Sequence, residues 1–114
     1  FYDNQFFYDF LAKCRAAGIT VPIIAGVMPI YSVKMMNILA SLCGATITDE
    51  VNAGLAKVNQ EEKEAVNAWG IDFAINQCAD LIDNGVDGLH FYTLNRTSSV
   101  DGILEGLRAS GKLR

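Results

Sequence analysis

Two short segments have the composition of buried strands, and the chain between them has a helical pattern. Ile19–Val27 is β-branched and apolar throughout, as in a parallel strand covered on both faces, and Val86–Leu94 is the second predicted strand. About 60 residues of mostly helical pattern separate them, which predicts a parallel crossover. Two parallel strands alone leave edges and faces open. The pattern therefore predicts part of a larger α/β fold, either a (β/α)8 barrel or a doubly wound sheet.

Periodic apolar residues and capping residues predict five helices around these strands. The long helix is expected to start with a capping box, in which Asn59 is followed by Glu62. The predicted helices run from Asp3 or Asn4 to Gly18, over Val33–Cys43 between Ser32 and Gly44, from Thr48 to about Lys57, from Asn59 to Asn84-Gly85, and from Ser98 or Ser99 to Ser110-Gly111.

Composition narrows the class of protein. The 114 residues are 51% hydrophobic, enough for the core of one domain. The net charge of −4 argues against nucleic-acid binding, which needs a basic face. No apolar run approaches the roughly 20 residues that cross a bilayer, and no signal peptide is visible, so we expect a cytoplasmic protein. The chain opens on Phe1 rather than Met, so we expect further residues upstream.

Cysteine and histidine give little sign of a metal site. Cys14, Cys43 and Cys78 are far apart and odd in number, which predicts buried free thiols rather than disulfides or a zinc ribbon. His90 is the only histidine and lies mid-strand, with no second histidine or paired carboxylate beside it. We expect it to be a hydrogen-bonded core residue.

In parallel α/β folds, functional residues gather where strands end. The two predicted ends are Gly26–Tyr31 and Thr93–Ser98. Arg96 could hold an anionic substrate group in a bidentate way, or form a salt bridge with a neighbouring loop, and the sequence favours neither. Met35 is placed where it could touch a ligand, although core filling is the default role of methionine. The chain has no GxGxxG, P-loop or GxSxG motif.

The string Gly88–Arg96, GLHFYTLNR, resembles the last barrel strand and following loop of methylenetetrahydrofolate reductases. The similarity extends through VPIIAGVMPI and GIDFAINQCADLIDNGV and covers nearly the whole chain, with Gly44–Asn67 the weakest stretch. The resemblance implies that residues 1–114 are the C-terminal segment of one catalytic (β/α)8 barrel, carrying its last two strands. It also implies FAD bound at the strand ends, NADH or NADPH as electron donor, and reduction of 5,10-methylenetetrahydrofolate to 5-methyltetrahydrofolate.

The resemblance also implies roles for three residues. Arg96 matches a family arginine that contacts the folate. Met35 stands where bacterial relatives often have a folate-contacting Gln, and a thioether cannot donate that hydrogen bond. Leu39 stands where some relatives have a Phe that packs on folate or nicotinamide, and Leu cannot stack in the same way. The general-acid Glu and the FAD contacts of the family lie upstream, so we expect no catalytic residue in this chain and no activity from it alone.

We expect the full protein to be a homo-oligomer, which could also be part of a larger electron-transfer complex. Two alternatives to the enzyme are weighed from the sequence. The chain could instead be a non-catalytic interaction module whose exposed strands pair with another chain. A different barrel flavoenzyme, such as a proline-dehydrogenase-like one, is disfavoured by the HFYTLNR string.

Overall fold

A computed structural model describes residues 1–113, which form five helices and one sheet of two parallel strands. The α/β class is as predicted. None of the helices in this range is long and apolar enough to cross a membrane. In chain order the elements are α1 (Asn4–Ala16), β1 (Ala25–Val27), α2 (Val33–Cys43), α3 (Asp49–Ala56), α4 (Lys63–Asp83), β2 (Leu89–Phe91) and α5 (Ser98–Ala109). The strands pair in the register Ala25↔Leu89, Gly26↔His90 and Val27↔Phe91.

The first strand is shorter than the predicted Ile19–Val27, because side chains take up the backbone groups before it. Arg15 donates from Nη1 to the carbonyl oxygens of Ile19 and Val21, at 2.9 and 2.8 Å. The N–H of Ile23 donates to Asp87 Oδ2 at 2.9 Å. Pro22 has no N–H to give a ladder. The segment Ile19–Ile24 is therefore held in place without being strand.

The second strand is also shorter than the predicted Val86–Leu94. It ends at Phe91, since two residues with positive φ follow soon after: Leu94 at 49° and Asn95 at 62°. A left-handed conformation cannot continue a strand. The chain turns here instead of extending the sheet.

Capping residues set most helix starts as predicted. Asp3 Oδ1 accepts from the N–H of Gln5 at 2.8 Å, and Ser32 and Thr48 cap α2 and α3 in the same way. The predicted capping box of α4 is wrong. Asn59 Oδ1 accepts from the N–H of Glu61, which forms a turn before the helix, and α4 begins at Lys63 with no side-chain cap.

The main core lies between one face of the sheet and helices α1, α4 and α5. Ala25 and Val27 are fully buried there. The helices contribute Phe7, Ala74, Cys78, Leu81, Ile103 and Leu107. The opposite sheet face is open: His90 and Tyr92 are exposed, and the Tyr92 ring lies so close over Gly26 that a Cβ there would meet its Oη at 2.7 Å.

Two expectations about single residues are wrong. Cys14 and Cys78 are buried free thiols, but Cys43 is exposed at the end of α2. His90 is exposed rather than in the core, because its side chain points to the open sheet face. It meets the Tyr92 ring edge-on at 4.8 Å between centroids, and within residues 1–113 no hydrogen bond to it is found.

A second cluster joins α2, α3 and α4 to the loop after β1. Its buried members are Tyr2, Ile30, Met36, Val51, Leu55 and Val66. Gly70 of α4 lets the helix approach this loop, since a Cβ at that position would lie 2.5 Å from the carbonyl oxygen of Ile30. The cluster therefore fixes the loop that leads into α2.

Candidate functional site

The loops that follow the two strands meet at Tyr31. This side chain is only 7% exposed, and its hydroxyl lies 3.0 Å from the carbonyl oxygens of both Tyr92 and Thr93. A phenol has one proton, which it shares between the two acceptors. Burial raises the pKa of Tyr31, with the nearby Arg96 charge opposing that rise, so the hydroxyl stays protonated and able to donate at neutral pH.

A tight turn brings Arg96 to the same place. The N–H of Arg96 donates to the carbonyl oxygen of Thr93 at 2.8 Å, and the two residues between them, Leu94 and Asn95, both have positive φ. This combination has the character of a type I′ turn. Asn tolerates the left-handed region, whereas Leu pays roughly 1–2 kcal/mol there. The turn leaves the Arg96 guanidinium carbon 5.8 Å from the centroid of the Tyr31 ring, within cation–π range.

The three residues singled out from the sequence line one groove of about 420 Å³. Met35 and Leu39 stand one helical turn apart on α2, and Arg96 comes from the turn after β2. The remaining lining residues are Tyr31, Ser32, Lys34, Ile38, Lys63 and Leu94. The groove thus combines an apolar surface with cationic side chains, which suits a ligand that is apolar along its length and anionic at some point.

A second groove, of about 410 Å³, shares Tyr31, Lys63 and Arg96 with the first. It adds Glu64, Asn67, Thr97, Ser98 and Ser99. The alternative of a salt bridge for Arg96 is not found: the ion pairs within residues 1–113 are Arg15–Asp87 and Lys112–Asp83. The guanidinium is exposed and available to a ligand.

Metal chemistry finds no support in this part of the chain. No group of three or more histidine, cysteine or carboxylate residues within residues 1–113 could hold a metal ion.

Two residues of the site were not predicted from the sequence in their present roles. Tyr31 belongs to the predicted strand end Gly26–Tyr31 without a role of its own, and Lys63 has no predicted role. The available signal was a tyrosine shortly after a strand for the first residue, and a cation at a helix start for the second.

The geometry defines an α/β chain with a ligand-sized groove where its parallel strands end. A family model described as methylenetetrahydrofolate reductase matches residues 1–108. The chain belongs to the methylenetetrahydrofolate reductase family.

Relatives from a plant, a nematode and a bacterium have names of the same family. The chain is 40% identical over 107 residues to "Methylenetetrahydrofolate reductase (NADH) 1" of Arabidopsis thaliana, covering 94% of this chain and 18% of that protein. It is 34% identical to "Probable methylenetetrahydrofolate reductase (NADPH)" of Caenorhabditis elegans, covering 94% and 16%. It is 29% identical to the 5,10-methylenetetrahydrofolate reductase of Salmonella typhimurium, covering 84% and 32%. The chain thus spans less than a fifth of the plant and nematode relatives and about a third of the bacterial one.

Proposed function

We propose that residues 1–114 are the C-terminal segment of the catalytic (β/α)8 barrel of a methylenetetrahydrofolate reductase, and that the groove at Arg96 forms part of its folate pocket. Family membership and the parallel strand pair support the barrel. The observation that carries the pocket is that Arg96 meets Met35 and Leu39 in one groove, although Arg96 is far from both in sequence. Parallel barrels place their sites at this end of the strands.

The proposed reaction reduces 5,10-methylenetetrahydrofolate to 5-methyltetrahydrofolate with electrons from NADH or NADPH through FAD. The printed names of relatives include both nicotinamide forms, which supports a nicotinamide donor without choosing between them. FAD, when bound, would supply the hydride transfer. Residues 1–113 do not fit the flavin by themselves: the sheet face at Gly26 is occupied by the Tyr92 ring, and the chain has no glycine-rich phosphate loop. We therefore assign flavin binding to other residues of the full protein.

Each groove residue has a distinct proposed role. Arg96 binds a folate carboxylate through a bidentate, charge-assisted pair, because its guanidinium has no carboxylate partner within residues 1–113. Met35 offers a polarisable surface but no hydrogen-bond donor. Leu39 fills the groove without stacking. These residues bind and orient the substrate; the catalytic acid lies outside this chain.

The test uses the complete reading frame that encodes this chain. We expect the purified protein to have a flavin absorbance spectrum and to reduce methylenetetrahydrofolate. Hydrogen bonds to charged groups contribute about 1.5–3 kcal/mol, so Arg96→Ala should raise the KM for the folate about 10- to 100-fold with the flavin spectrum unchanged. Arg108→Ala, at the far end of α5, is the matched control. A colourless protein that takes up no flavin contradicts the proposed function, whereas unchanged folate kinetics in Arg96→Ala contradict only the role of Arg96.

Exposed apolar side chains favour assembly with other chain segments. They include Phe6 and Phe10 on α1, Val21 and Ile24 before β1, and Leu42 on α2. We propose that the full protein is a cytoplasmic homo-oligomer, in some settings part of a larger electron-transfer complex. Light scattering on the purified protein tests the oligomeric state.

A non-catalytic assembly module remains the second candidate function. The flavin and folate assays above separate it from the enzyme.

A further inference from the structure

We infer that Tyr31 is a positioning residue that holds the Arg96 guanidinium in the groove. The inference rests on the proposed function for its substrate side, since it assigns to Tyr31 the orientation of the residue that binds the folate. Tyr31 itself acts through Arg96 rather than as a catalytic residue.

The first argument is the attachment of two loops by one side chain. Tyr31 follows β1, while its hydroxyl bonds to the carbonyl oxygens of Tyr92 and Thr93, which follow β2. Thr93 is also the residue whose carbonyl accepts the N–H of Arg96. The phenol is thus bonded to the backbone at the base of the turn that carries Arg96. Loss of the hydroxyl frees this turn from the loop after β1.

The second argument is the place of the guanidinium itself. It lies above the Tyr31 ring, and it forms no ion pair with a carboxylate within residues 1–113. A ring face attracts a cation and leaves the planar N–H donors of arginine free for a ligand. Tyr31 therefore orients Arg96 without consuming its hydrogen-bonding capacity, which a carboxylate partner would do.

The third argument is the rigidity of Tyr31. Its side chain is buried, and Gly70 allows α4 to pack directly on the preceding residue, Ile30. A buried side chain with a bonded tip has one orientation, so its ring is a fixed platform. Arg96, by comparison, is exposed.

Two substitutions separate the hydroxyl from the ring. In the full-length enzyme, Tyr31→Phe keeps the ring and removes the hydrogen bonds, and we expect the KM for methylenetetrahydrofolate to rise about fivefold. Tyr31→Leu also removes the ring, and we expect about a twentyfold rise. In both variants kcat and the rate of flavin reduction by the nicotinamide donor should stay within about twofold of the wild-type values. The reason is that the lost interactions bind the substrate and the transition state equally well. Tyr8→Phe is the control, because Tyr8 also bonds to a backbone carbonyl but lies on α1, outside both grooves.

A double-mutant cycle distinguishes positioning from a merely structural role. If Tyr31 acts through Arg96, then Tyr31→Phe in an Arg96→Ala background should add no further rise in KM. An equal additional rise in that background, or a wild-type KM in Tyr31→Phe, overturns the inference. Should Tyr31→Leu fail to fold, Tyr31→Phe still decides the matter.

A second readout does not depend on folate turnover. The ring of Tyr31 should shift the side-chain protons of Arg96 upfield in the NMR spectrum of the full-length protein, and Tyr31→Leu should remove that shift. Absence of the shift in the wild type refutes the Tyr31–Arg96 contact even if the enzyme is active. If the shift is present but the full-length protein has no reductase activity, the proposed function is refuted while the Tyr31–Arg96 contact is confirmed. Titration with tetrahydrofolate then tests whether Arg96 still binds a folate.

Discussion

Gly70 offers a sharp test of the packing that places the site. Alanine at this position of α4 would gain about 1 kcal/mol of helix propensity. Its Cβ, however, would lie 2.5 Å from the carbonyl oxygen of Ile30 and 3.1 Å from the Ile30 Cβ. The obstacle is backbone, so the helix or the loop must move, and overpacking of this kind costs typically 1–3 kcal/mol. Because the obstacle is backbone, the upper part of that range applies, and the gain of about 1 kcal/mol in helix propensity offsets part of it. We therefore expect Gly70→Ala to lower the free energy of unfolding by about 1–2 kcal/mol.

The assay is denaturant unfolding of the full-length protein followed by circular dichroism, with Gly102→Ala as the matched control. Gly102 is also within a helix, but its nearest neighbour is the Ile71 Cδ1 atom at 3.1 Å, the far end of a side chain that can rotate away. The control should be neutral, or more stable by up to about 1 kcal/mol. Because Ile30 precedes Tyr31, Gly70→Ala should also raise the folate KM. A Gly70→Ala protein as stable as its Gly102→Ala counterpart would refute the packing argument.

Two further predictions concern helix capping and pH. Ser32→Ala removes the side-chain acceptor for the N–H of Met35 and should lower the free energy of unfolding by about 1 kcal/mol, measured in denaturant; an unchanged midpoint would argue against the cap. Hydrogen bonds, first from Tyr8 and then from Asn4, hold the pKa of Asp80 below its ordinary value of 3.8. Their contribution to stability is therefore fully present above pH 3.8, and it is lost as the pH falls through the lower pKa of the folded state. Tyr8→Phe should therefore lower Tm at neutral pH, and the Tm of the variant should fall less than that of the wild type when the pH is lowered into the acid range. Parallel curves of Tm against pH for the variant and the wild type would contradict this.

The helices were largely predictable because their signals are local. Ser32 and Gly44 bound α2 as expected, since a cap bonds within its own turn. The start of β1 was not predictable, because it depends partly on a group far away in sequence. Asp87, which accepts the N–H of Ile23, is 64 positions away from it. The bonds from Arg15 to Ile19 and Val21 are local, but apolar patterning does not show that a guanidinium will take these carbonyl groups.

The same distinction applies to the site. The rule that function gathers at strand ends, with the family resemblance, was sufficient to bring Arg96, Met35 and Leu39 together. The hydrogen-bond partners of Tyr31 could not be predicted from the sequence. Tyr92 is 61 positions away, and its pairing with Tyr31 depends on the register of the strands. His90 was misplaced for a related reason: which face of a short strand is covered depends on the elements around it.

The pairing of β1 with β2 has a consequence for how the chain comes to be folded. Among residues 1–113 the only strand that pairs with β1 is β2, which follows α2, α3 and α4. During synthesis the edge of β1 that pairs with β2 therefore stays open until all three helices have been made, while helices form within microseconds and close-range contacts come early. In that interval this edge of Ala25–Val27 is open to association with other chains. Productive pairing at this edge thus depends on how quickly α4 docks and brings the second strand alongside.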